Sequence, residues 1–180
     1  MEIKRPGTHL DHLLRQTRMH HTQLSSMADM KANILLTMAS VVITLSVRYI
    51  SEPHLKWATF VLIVFCLMTI GLATYVVMPK IPFSLKPETN KSIGGPWFNL
   101  LFFGDFVRLP YEEYEAAMEE VMNDPNRTYQ VQVQELYSLG VFLAKKKYRF
   151  LRLAYLTFIV GVFASALVGF SSGVLDSIIY

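Results

Sequence analysis

The chain is 180 residues long, 52% hydrophobic and only 17% charged, with a formal net charge of +3 and a mean hydropathy of +0.33. Soluble domains carry about a quarter charged residues, so this composition points to a membrane and excludes a disordered chain. Cys66 is the single cysteine, which excludes an intrachain disulfide framework and a cysteine-cluster metal site, and the small net charge gives no argument for nucleic-acid binding.

Residues 1–31 read as a cytoplasmic amphipathic helix. Leu10, Leu13, Leu14, Thr17, His21, Leu24, Met27 and Ala28 recur at helical spacing with no proline among them. Thr8 is placed to cap the start, after Pro6 and Gly7. Such an apolar stripe needs a partner helix. His12 and His20 would stand roughly 12 Å apart along it, too far to share one ion, so no metal site is expected. Asp29 lies one turn before Asn33. With Lys31 it fixes the helix at the membrane surface, pairs with a base of a second stalk, or contacts a ligand.

The first transmembrane helix is placed at 32–50. Ala32 to Val47 is uncharged, and Arg48 can snorkel toward the interface. Thr37, Ser40 and Thr44 share one helical face, as helix-packing positions or as the lining of a polar path. No secretory signal peptide is expected, because the first apolar run begins only at Ala32. Residues 51–56 form a short external loop. The second transmembrane helix, 57–78, is uncharged throughout. At helical rise it covers roughly 33 Å, enough for a hydrocarbon core, and Trp57 suits an interfacial anchor.

Residues 79–152 form a helical cytoplasmic domain. It opens on a loop holding Pro79, Pro82, Pro87 and Pro96 with Gly94 and Gly95. The aromatic stretch from Trp97 to Val107 is too short to span, and is either interfacial or the core of this domain. Pro110 to Asp124 predicts a helix with Tyr111, Tyr114, Met118, Val121 and Met122 on one face and a solvated acidic face. Asp124, Pro125 and Asn126 stop it. From Thr128 to Tyr148, YQVQVQ alternates like a strand, but Leu136, Leu139 and Leu143 suit a helix. With no evident partner strand, a long helix running into the next span is expected.

The third transmembrane helix is placed at 153–175, followed by a short external tail, 176–180. Gly161, Ser165 and Gly169 fall four apart, a small-residue series suited to close approach within the chain or between copies. Residues 1–31 and 79–152 carry 15 of the 17 lysines and arginines. Lys145, Lys146, Lys147, Arg149 and Arg152 stand just before the third span, so the positive-inside rule puts the N-terminus in the cytoplasm. The expected fold is all-α: an integral membrane protein with three transmembrane helices and long helical cytoplasmic extensions.

No nucleophile elbow, zinc-protease motif or P-loop occurs, so neither an enzyme nor a cofactor is expected. A small anionic nucleotide would require basic, hydroxyl and aromatic groups. Arg15, Arg18, Arg108, Tyr111, Arg127 and Tyr129 are the candidates, while the row from Lys145 to Arg149 suits anionic lipid headgroups.

Four stretches resemble the transmembrane effectors of Pycsar, a cyclic-pyrimidine-nucleotide antiphage system. They are LSSMADMKANIL from Leu24 to Leu35, FFGDF from Phe102 to Phe106, the helix around Glu113 and Tyr114, and LGVFLAKKKYRFLRLAY from Leu139 to Tyr155. The resemblance implies that a companion cyclase, acting functionally rather than as a bound subunit, makes 3′,5′-cyclic CMP or cyclic UMP during infection. The effector senses the nucleotide and impairs the bacterial inner membrane, arresting growth. Three spans are too few to surround a sizeable pore, so a homo-oligomer in contact with membrane lipid is expected. The alternative is a non-catalytic membrane scaffold that recruits a soluble partner.

Overall fold

The structure, a computed structural model, describes residues 3–4, 7–79 and 98–179, with side chains of the last helix described up to Ser172. Beyond Pro79, the predicted proline-rich loop and Trp97 lie outside the described residues. All regular structure among the described residues is helical. The elements are α1 (Thr8–Ser46) with a 3-10 turn (Val47–Ser51), α2 (Lys56–Val77), α3 (Phe103–Phe106), α4 (Tyr111–Asn123), α5 (Pro125–Phe142), a π-helical turn (Leu143–Tyr148) and α6 (Arg149–Ile179). Three of these helical stretches are long and apolar enough to cross a membrane.

The chain divides into two compact units. One takes Met1–Leu24 with Pro79–Leu143, and the other takes Ser25–Met78 with Ala144–Tyr180. We call them the polar unit and the apolar unit.

In the polar unit, α1 begins at Thr8 itself, and the Gly7 carbonyl accepts from the Leu10 amide at 2.9 Å. Thr8 is therefore the first helical residue rather than the residue before it. The predicted stripe divides: Leu10, Leu14, Thr17, His21 and Leu24 are partly buried, whereas Leu13 is 59% exposed. The core joins Phe98, Leu100, Val121 and Val131, flanked by Leu101, Leu109, Tyr114, Ala117 and Met118. The aromatic stretch thus supplies core residues at its start, while Phe102 and Phe103 stay exposed. Asn99 fixes this irregular segment. Its backbone amide donates to Asp105 at 3.1 Å, its side-chain oxygen accepts from the Leu101 amide at 3.0 Å, and its side-chain nitrogen donates to Ser138 at 3.0 Å. Asp124 ends α4 and caps α5, accepting from the Asn126 amide at 2.9 Å, with Pro125 in the first helical turn where its missing N–H costs nothing. The YQVQVQ alternation is helical: tertiary packing of Tyr129 and Val131 overrides β-propensity.

In the apolar unit, α1 buries Ala28, Ala32, Leu35 and Ala39, a single face at helical spacing. The first three join Ala73, Val76, Leu151 and Ala154 in one core, so α1, α2 and α6 meet through small residues. The Tyr75 and Phe150 rings meet beside it, tilted by 56° with centroids 4.5 Å apart. Lys147 Nζ reaches both carboxylate oxygens of Asp29 at 2.6 Å, which realises the second-stalk pairing among the three roles open to Asp29. Gly161, Ser165 and Gly169 face α2 of the same chain. A side chain at Gly161 would collide with the Phe65 Cβ, Ser165 donates to the Ala58 carbonyl at 2.9 Å, and a Cβ at Gly169 would rest 3.4 Å from the Ala58 Cβ.

Candidate ligand site

A cavity of about 770 Å³ opens in the polar unit. Such a volume suits a small organic ligand. Arg15 and Arg18 project into it from successive turns of α1, and Met118 and Met122 come from α4. Leu101, Thr128 and Gln132 add apolar and hydrogen-bonding wall. The cavity therefore combines two always-charged guanidinium groups with adaptable thioethers, a set able to hold an anionic group beside a flat ring. Asp11 also lines it, and its carboxylate is engaged by the Tyr129 hydroxyl at 2.8 Å. That hydrogen bond pushes the Tyr129 phenol up, so it remains a donor.

Arg18 pairs with Glu135 of α5. Glu135 in turn lines a second cavity of about 270 Å³ with Asn99, Phe102, Asp105, Ser138 and Phe142. One ion pair thus connects two cavities of the same unit. Burial pushes the Glu135 carboxyl up, outweighing the downward pull of the Arg18 charge. A carboxyl raised on folding contributes stability that is complete below its unfolded value and is lost as pH rises through the folded one. Glu135→Gln is therefore expected to flatten the fall in thermal midpoint as pH rises from the ordinary carboxylate value of 4.5. Melting curves of both proteins across that range check this, and parallel curves would contradict it.

Of the six ligand candidates, the structure brings Arg15 and Arg18 into the larger cavity, and the other four do not line it. Tyr111 is 68% exposed, and its hydroxyl donates to Glu115 at 3.3 Å. Arg127 stands 4.0 Å from Glu120. Tyr129 is buried on Asp11, and Arg108 is half-buried after α3. Thr37, Ser40 and Thr44 are exposed on α1, each hydroxyl donating to the carbonyl four residues before it at 2.8–3.0 Å. Sequence reasoning missed Glu135, Met118 and Met122 as site residues. The periodicity marked the two methionines only as one apolar face, and nothing local links Glu135 to Arg18. Among the described residues no group of three His, Cys, Asp or Glu converges as a metal site.

The fold and the cavity define a helical membrane protein that carries a cationic pocket in its polar unit. The model of the Pycsar effector protein domain matches residues 12–173, and the chain belongs to that family of transmembrane antiphage effectors. No curated protein and no solved structure matches the chain.

Proposed function

We propose that the protein is a non-catalytic effector that senses a 3′,5′-cyclic pyrimidine mononucleotide, cyclic CMP or cyclic UMP, supplied by a companion cyclase. On binding it impairs the bacterial inner membrane and arrests growth. The observation that carries this reading is the family match, which takes in both the cationic cavity and the three apolar helices. Taken separately, each unit pairs α1 in step with a later helix: Tyr129 for Asp11 and Glu135 for Arg18 in one, Lys147 for Asp29 and Tyr155 for Lys31 in the other. Numbers that rise together mean parallel helices. That supports a topology in which α1 and α6 both leave the cytoplasm in the same direction, with the lysine cluster at 145–147 on the inside.

The nucleotide phosphate takes Arg15 and Arg18, and the base lies against the methionine wall. Binding releases Arg18 from Glu135, and a ligand shifts an equilibrium only through such a difference between states. A charge-assisted contact contributes about 1.5–3 kcal/mol, so Arg15→Ala and Arg18→Ala are each expected to weaken affinity about tenfold or more. Titration of the detergent-solubilised protein with cyclic CMP, cyclic UMP and cyclic AMP reads this directly. Dye leakage from liposomes that carry the protein reads the effect on the membrane. Unchanged affinity in both variants would overturn the site. Binding without leakage would instead favour a scaffold that recruits a soluble partner.

A further inference from the structure

We propose that Gln132 reads the hydrogen-bonding edge of the base and thereby sets which nucleotide the larger cavity of the polar unit prefers; this rests on the sensing role proposed above. In α5 the sequence YQVQVQ places Gln130, Gln132 and Gln134 two apart. Residues two apart on a helix point to nearly opposite sides, so Gln132 faces away from the other two. Gln130 is exposed. Gln134 donates to the Phe98 carbonyl at 2.9 Å. Gln132 is half-buried and lines the cavity, one turn beyond Thr128 on the same wall. Two closed contacts bracket it. Asp11 accepts from Tyr129 at 2.8 Å, and Arg18 pairs with Glu135. Between these levels, about one turn from either, stand Arg15 on α1 and Gln132 on α5. Both line the cavity, and neither has a hydrogen bond or ion pair among the described residues. The seam between α1 and α5 is thus closed at two levels and open at the level between them.

The chemistry of each polar wall group decides its part. Asp11 is committed to Tyr129. The Thr128 hydroxyl donates to the Val121 and Asp124 carbonyls. Arg15 and Arg18 are charged and donate only, which suits a phosphate. Gln132 is uncharged and presents amide donors beside a carbonyl acceptor in one plane. Among the described cavity residues it is the side chain that offers both roles uncommitted. A pyrimidine edge calls for that combination. Cytosine presents an amino donor beside a ring acceptor, and uracil a ring donor beside a carbonyl acceptor. A carboxamide meets either one by turning over. With the flat face of the ring on Met118 and Met122, its edge is left to the opposite wall, which is where α5 carries Gln132.

The test is titration of the full chain in detergent with cyclic CMP and with cyclic UMP, for the parent, Gln132→Glu and Gln132→Leu. A carboxylate only accepts, so Gln132→Glu still takes the cytosine amino group but sets acceptor against acceptor at the uracil carbonyl. The ratio of Kd for cyclic UMP to Kd for cyclic CMP is expected to rise roughly three- to tenfold in Gln132→Glu, the span for one hydrogen bond. The ratio cancels any general effect of a new charge near Arg15. Gln132→Leu is expected to weaken both nucleotides by a similar factor. An unchanged ratio in Gln132→Glu overturns the assignment, because a contact with phosphate or sugar moves both nucleotides alike. Unchanged affinities in Gln132→Leu overturn it as well. A parent that binds neither nucleotide overturns the sensing role and this assignment together. A parent whose binding depends on Arg15 and Arg18, but whose preference ignores position 132, loses this assignment and keeps the sensing role.

Discussion

Replacing Asp29 by alanine is expected to destabilise the apolar unit by about 3 kcal/mol, the lower end of what stranding a buried charge costs. The Lys147 side chain is 12% exposed and holds both Asp29 oxygens at 2.6 Å. Without the carboxylate this largely buried ammonium loses both of these hydrogen bonds. Asp29 is 38% exposed, so the converse change, Lys147→Met, leaves a carboxylate that still reaches water and costs less. The double variant Asp29→Asn with Lys147→Met is expected to recover most of the loss, because neither charge remains. Thermal unfolding in detergent, followed by circular dichroism, ranks the four proteins. An Asp29→Ala protein within about 0.5 kcal/mol of the parent would show that the pair carries no weight.

Gly161 and Gly71 make the second expectation, because they are both helical glycines with opposite surroundings. A Cβ at Gly161 meets the Phe65 Cβ and Cγ, close to the α2 backbone where no rotamer change gives relief. Gly161→Leu is expected to force α2 and α6 apart at a cost of about 1–3 kcal/mol or more. It also carries Ser165 away from the Ala58 carbonyl. Around Gly71 an added Cβ meets nothing within 4 Å, so Gly71→Ala is expected to gain up to about 1 kcal/mol from backbone entropy alone. Resistance to unfolding in mixed detergent and SDS orders the three proteins. Equal behaviour of the two variants would mean that α2 and α6 do not rely on contact at Gly161.

The helices that form the membrane-crossing segments were legible because an uncharged run as long as Trp57 to Met78 has no other solvent in so small a chain. The length of α1 was legible too, since nothing from Thr8 to Ser46 breaks a helix. Two features were not. The turn from Leu143 to Tyr148 is π-helical, although its lysines and leucines carry no signal that separates it from the α-helices on either side. The pairings Arg18 with Glu135, Tyr129 with Asp11 and Lys147 with Asp29 join residues more than a hundred positions apart. One sequence says which of these groups need a partner, but partner choice is set by how parallel helices align. For the same reason the six ligand candidates could be chosen by chemistry, whereas only their placement separates Arg15 and Arg18 from the rest.

The back-bonded hydroxyls of Thr37, Ser40 and Thr44 carry one more consequence. Because each is already satisfied by its own helix, these three groups bring no unmet donor into the apolar segment, and this stretch of α1 rests in lipid at little cost.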